Sequence, residues 1–221
     1  MKKILPILIL TSLASCRTLM LHTMLRDPKV ETTHSIKAFQ LKHDFSTENS
    51  LIILADTTDA VKKLFSGMAA GYYIFDKDGD QVCYNASAAC QGVQFRQLLA
   101  NNTDSFRSCK NDTVNLARIL SRTCDLNGQP VEKAQLRPAD YYVVAYWAKF
   151  LGGKRGYEDN IAWMEHEIKK SKPPPKFTFI KINTDLQERW GLIAGKKARL
   201  RWKAKGDLMT LEISDLPIRS K

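Results

Sequence analysis

The 221-residue sequence has no apolar run long enough to cross a bilayer as a mature helix; the best, Ile4 to Leu13, is interrupted by Pro6, Thr11 and Ser12. It has no Cys-x-x-Cys pair, which argues against a zinc ribbon and against a standard redox dithiol. The four histidines, His22, His34, His43 and His166, show no metal-ligand spacing. There is no paired Ser/His/Asp arrangement, no phosphate loop and no P-loop glycine pattern. The sequence therefore implies no cofactor and no metal. Asp76-Lys77-Asp78-Gly79-Asp80 invites a calcium reading, but its glycine is fourth where an EF-hand loop needs it sixth, and the twelfth position is Ser87 instead of glutamate. A solvated hairpin turn is the better account.

What is present begins at the N-terminus. Lys2 and Lys3 precede the apolar run, which ends in Leu13-Ala14-Ser15-Cys16. Positive, apolar and small-residue segments in that order form a secretory signal peptide, residues 1–15. Small residues directly before a cysteine resemble the lipobox of bacterial lipoproteins. That resemblance implies a diacylglycerol on the Cys16 thiol, cleavage before Cys16 and acylation, such as by palmitate, of the new amino terminus. Several acyl chains exceed what stable anchoring needs. Arg17 stands where an aspartate would favour inner-membrane retention, so the expected location is the outer membrane, facing the periplasm. Residues 16–49 are mixed and polar without a sustained period and read as a lipidated tether, its stretch Thr18 to Leu25 lying near the membrane surface.

Formal charge is +11, falling to +9 when Lys2 and Lys3 leave with the signal. In an exported protein such charge suits an envelope protein, a glycan or anionic lipid, not nucleic acid; simple solubility is the plainer use. Beyond Cys16, the cysteines are Cys83, Cys90, Cys109 and Cys124, an even number that suits up to two disulfides. Connectivity stays open, a local Cys83–Cys90 bond competing with links to Cys109 and Cys124. Cys90, in Ala88-Ala89-Cys90-Gln91-Gly92, is also the weak candidate for a catalytic thiolate if it sits at a helix start.

Two α/β segments are expected, residues 50–126 and 139–216. In the first, Leu51-Ile52-Ile53-Leu54-Ala55 reads as a buried strand, and Thr57 or Thr58 caps a helix with Val61, Leu64, Phe65 and Met68 on one face. A hairpin turns at Asp78-Gly79, with Phe75 facing Val82 and Tyr73 facing Tyr84. A helix spans about Gly92 to Ala100, and Asn111 caps another. In the second segment, Tyr141 to Trp147, a helix from about Tyr157 to Ser171, and Phe177 to Ile182 form a βαβ unit with a parallel pair. Strict alternation from Ala198 to Lys205 predicts a final hairpin around Gly206-Asp207, pairing Leu200 with Ile213, Trp202 with Leu211 and Arg201 with Glu212.

Val143-Val144-Ala145-Tyr146-Trp147-Ala148 resembles the first core strand of the thioredoxin-like fold, and Phe179-Ile180-Lys181-Ile182-Asn183-Thr184-Asp185 resembles that family's next strand. The closing hairpin fits the family too, over about residues 140 to 215. Residues 51 to 100 resemble the later half of such a domain, so two related modules or one rearranged domain are both open. The resemblance implies the fold alone. Aligned by Trp147-Ala148, the family's nucleophilic and resolving cysteines fall on Leu151 and Lys154, and residues 185–205 contain no proline where a cis-proline is expected. The expectation is a tethered, redox-inactive binding or structural module. Its strip of Arg199, Arg201, Lys203 and Lys205 is a candidate for anionic-surface binding, or serves only to keep an edge hairpin from aggregating. Against it stands a thiol–disulfide or peroxide-reducing enzyme using Cys90; enzymatic activity is undecided, with the weight against it.

Overall fold

The computed structural model describes residues 26–44, 46–55, 72–84, 91–109, 114–151, 157–205 and 208–219. Seven strands form one mixed sheet: β1 (Ser50–Ile53), β2 (Tyr72–Asp76), β3 (Gln81–Tyr84), β4 (Phe106–Ser108), β5 (Thr123–Asp125), β6 (Tyr141–Trp147) and β7 (Phe177–Asn183). Their order is β4-β3-β2-β6-β7-β1-β5. The three central strands β6, β7 and β1 are parallel, and every outer pairing is antiparallel. Strands from both expected α/β segments thus interleave in a single sheet. The helices are α1 (Thr33–Lys42), α2 (Gln91–Leu99), α3 (Leu116–Leu120) and α4 (Tyr157–Lys170). Among the described residues no helix is long and apolar enough to cross a membrane.

The βαβ unit forms as its sequence predicts. β6 and β7 pair from Tyr141↔Phe177 to Trp147↔Asn183, with α4 between them. β6 is apolar on both faces because both are covered. Tyr142 and Val144 pack with Leu116, Leu120 and Ile180 on the α3 side. Val143 packs with Phe95, Leu98 and Met164, and Trp147 with Ile36 and Ile161, on the side of α1, α2 and α4. A continuous apolar run is the mark of a strand buried on both sides.

Several expectations need correction. The stretch read as a tether is folded where it is described, since α1 lies within it. Thr32 and Ser35 cap α1 reciprocally, each side chain accepting the other's N–H at 3.0 Å, and the helix buries Ile36 and Gln40 one turn apart. The β2–β3 hairpin is one residue out of the expected register, pairing Ile74 with Val82 and Phe75 with Gln81. The Asp76 carboxylate accepts the N–H groups of Asp78, Gly79 and Asp80, and Gly79 takes φ +95°, so the loop holds three residues instead of two. The helix after β4 is capped by Asn115, whose side chain accepts the Arg118 N–H at 2.9 Å, and not by Asn111. The helix expected over Val61 to Met68 lies outside the described residues.

The final hairpin, β8 (Arg199–Lys205) and β9 (Leu208–Ser214), has the predicted register throughout, with Leu200↔Ile213, Trp202↔Leu211 and Arg201↔Glu212. It does not close the sheet. It stands apart as a two-stranded ribbon, and Ala198 and Ile213 pack with Val30, Ala148, Phe150, Leu186 and Leu192 in a core of their own. The hairpin beside β6 is β2–β3 instead.

Candidate functional site

Open α/β sheets bind ligands at the carboxyl ends of their parallel strands, here the region beyond Ile53, Trp147 and Asn183. Directly after β6, Ala148 is buried and residues Lys149–Leu151 form one turn of 3-10 helix. Phe150 is buried and Leu151 packs against the same apolar cluster, so the position aligned with a nucleophilic cysteine is a packing residue. Lys154, the other aligned position, lies outside the described residues.

A polar network fills the crevice. The Lys149 backbone N–H is shared between both oxygens of Asp185 at 3.0 Å, and Asn183 Nδ2 donates to Oδ2 at 2.8 Å. Gln187 Nε2 donates to Asn183 Oδ1 at 3.1 Å and to the Asp185 carbonyl at 3.0 Å. Asp185 is fully buried, and its pKa is pushed up to about 6. Desolvation drives that rise and outweighs the pull of the Lys149 N–H and the Asn183 amide, while nearby Glu31 raises it further. Glu31, also buried, accepts the Lys149 ammonium at 2.7 Å and the Ser35 hydroxyl. The Phe39 ring lies 5.4 Å from that ammonium and stacks on Trp147.

Beside this crevice the chain's own residues 26–31 are bonded to the segments that follow β6 and β7. Arg26 N–H donates to Phe150 O, Val30 N–H to Lys196 O, and Glu31 N–H to Leu186 O, at 3.2, 2.8 and 2.7 Å. In return Glu188, Gly195 and Ala198 donate to the carbonyls of Glu31, Val30 and Pro28, at 3.1, 2.9 and 2.9 Å. Asp185, Asn183 and Gln187 are bonded to one another and to the Lys149 N–H, and such a network holds the adjoining segments in place.

Of the pairings left open, one is present among the described residues. Cys83 is bonded to Cys109, not to Cys90. The reason is register: Cys83 pairs with Arg107 across β3 and β4, which brings Cys109 diagonally opposite with a Cα–Cα distance of 5.1 Å. Closing a separation of 26 residues contributes about 3–4 kcal/mol in the chain-entropy account. Cys124 is a free thiol with no exposed surface. Burial pushes its pKa up, although Arg189 Nη1 donates to Sγ at 3.1 Å, so it is a poor nucleophile. Cys16 and Cys90 lie outside the described residues.

Of the basic strip, Arg199 and Arg201 are exposed, and Arg199 lies 3.6 Å from the equally exposed Asp215. Lys203 and Lys205 follow in register, opposite Thr210 and Leu208. Among the described residues no group of three or more histidine, cysteine, aspartate or glutamate side chains is placed to hold a metal ion.

Sequence reasoning missed a second buried centre. Lys181, in the middle of β7, is 2 % exposed and bonds Glu165 of α4, whose other oxygen accepts the Ser46 N–H at 2.8 Å. Burial lowers the lysine pKa and Glu165 holds it up. The pair borders a cleft of about 230 Å³ that also meets Glu48, Arg137 and Lys169. The signal was in the sequence: a lysine at an inward position of an otherwise apolar strand requires a counter-charge.

No family model matches the chain, and neither a curated protein nor a solved structure is significantly similar to it.

Proposed function

We propose that the chain is an envelope lipoprotein, lipidated at Cys16, facing the periplasm from the outer membrane, and that its folded part is one rearranged thioredoxin-like domain serving as a redox-inactive binding or structural module. The observation that carries this reading is the make-up of the crevice after β6. Where that family keeps a reactive cysteine there is Leu151, packed in an apolar cluster, and residues 26–31 are fixed to the segments that follow β6 and β7 by six backbone hydrogen bonds. The strand order supports the rearrangement: the hairpin that flanks the first core strand is β2–β3, which precedes that strand in the chain. The strip Arg199, Arg201, Lys203 and Lys205 is then a surface for an envelope protein, a glycan or anionic lipid.

The test pairs anchoring with turnover. Wild-type chain expressed in a bacterium partitions into the detergent phase and carries the mass of its acyl chains, whereas Cys16→Ser stays in the aqueous phase. Neither accelerates disulfide reduction or peroxide consumption. The Cys83–Cys109 bond and the buried Cys124 thiol leave Cys90 as the residue on which an enzyme reading would rest. Turnover by the wild type that Cys90→Ser abolishes, with folding intact, would replace the module by a thiol enzyme.

A further inference from the structure

We infer that the turn at residues 193–197, together with Lys29, is a membrane-facing foot that seats the domain on anionic lipid headgroups beside its own anchor. The inference rests on lipidation at Cys16 for its geometry, and on this corner of the fold for its chemistry.

The turn is built to project. Gly195 takes φ +80°, Lys196 N–H closes on Ile193 O at 3.2 Å, and Ile193 N–H is held by Pro217 O at 2.8 Å. The Gly195 N–H in turn fastens the turn to Val30 O at 2.9 Å. Lys29 is the bridge partner of Lys197, and its Cε lies 3.8 Å from where a Cβ on Gly195 would stand. Lys29, Lys196 and Lys197 are all exposed, and among the described residues none has a carboxylate within ion-pair distance. Acidic groups on the adjoining segments have other uses: Asp27 accepts the Leu200 N–H at 3.0 Å, Asp215 lies beside Arg199 and Glu188 beside Arg219.

Two large apolar side chains share the corner. Ile193 is 39 % exposed and Ile218, the bridge partner of Leu192, is 53 % exposed. Bare isoleucine among unpaired lysines is poor chemistry for a surface meeting only water. It fits a headgroup layer, where the ammonium groups meet phosphates and the apolar tips reach the acyl boundary.

The chain path argues for the same partner. The described chain begins close to this corner, since Pro28, Lys29 and Val30, two to four residues after Arg26, run alongside Ala198, Lys197 and Lys196. Arg26 is ten residue steps from Cys16, which reach at most about 35 Å. The field of an anionic membrane decays within about 8–10 Å at ordinary ionic strength. The tether therefore permits contact without enforcing it, and keeps the effective lipid concentration high enough for three lysines to decide the orientation.

The experiment uses the full acylated chain in vesicles of phosphatidylcholine alone or with about a third phosphatidylglycerol, labelled with an amine reagent and mapped by mass. Labelling of Lys29, Lys196 and Lys197 is expected to fall about fivefold or more with phosphatidylglycerol. Lys169 and Lys170, exposed at the far end of α4, keep their reactivity. Raising salt restores labelling, and Lys197→Glu weakens the protection of Lys29 and Lys196. Equal labelling in the two lipids overturns the foot. A mass without acyl chains defeats the anchor separately; the same chain mixed with the same vesicles then decides the foot by the same comparison.

Discussion

Asp185 and Lys181 are both buried, close together in the chain, and are accommodated in opposite ways. Asp185 is bonded by neutral donors, the Lys149 N–H and the Asn183 amide, with the Lys149 ammonium acting only from beyond ion-pair distance, and burial still wins, pushing its pKa up to about 6. Lys181 is answered by a full opposite charge on Glu165. Neutral dipoles fix the place of a buried charge without cancelling its desolvation, whereas a counter-ion does both and makes each partner depend on the other. The helix α1 serves both centres. Ser35 reaches Glu31 beside Lys149, and Gln40 Nε2 donates to the carbonyl of Ser46, whose N–H goes to Glu165.

The contrast breaks most sharply at the ion pair. Glu165→Ala strands Lys181 without a counter-charge and is expected to cost about 3–5 kcal/mol, read as a lower urea midpoint at unchanged slope. The double change Glu165→Leu with Lys181→Met recovers most of that loss. Equal damage in the double variant would mean that shape, not charge, is what matters there.

The Asp185 centre is expected to show itself in pH. Its folded pKa of about 6 lies above the ordinary 3.8, so the folded state holds its proton more tightly than the unfolded chain. The stability it contributes is full below pH 3.8 and is lost as pH rises through about 6, a decline of up to about 3 kcal/mol. Asp185→Asn flattens that part of the stability profile, which denaturant titrations across the window will show; a slope that survives the change belongs to another group. The smallest effect is at the shared helix. Thr32→Ala removes the α1 cap for about 1 kcal/mol and speeds amide exchange at Ser35, leaving the pH slope and the ion pair in place.

What could be read from the sequence follows how local the determinants are. The β8–β9 register was legible because the alternation from Ala198 to Lys205 and the Gly206-Asp207 spacing agree, and both are local. Its separation from the main sheet was not, since nothing in a hairpin says which edge it will join. The β2–β3 hairpin was legible as a hairpin, but the three N–H groups gathered by Asp76 added one residue to the loop and moved the register. The βαβ unit was plain from its two apolar strands and the helix between them. The crevice was not, because Glu31 and Lys149 meet only after residues far apart in sequence fold together, at 2.7 Å. The partner of Cys83 stayed open for the same reason: Cys90 is near it along the chain, while Cys109 is near it across strands.

The order of the strands also sets a timetable. Leu51 of β1 pairs with Ile182 of β7, and Val144 of β6 lies between Tyr73 of β2 and Ile180 of β7. No contiguous first half of the chain can assemble the middle of this sheet. A chain delivered from its N-terminus must hold β1, β2 and β3 in waiting until β6 and β7 arrive, and such long-range pairing is slow. The early apolar strands are thus exposed for longest, and the short three-residue edge strands β4 and β5 offer little template for wrong partners once the sheet has closed.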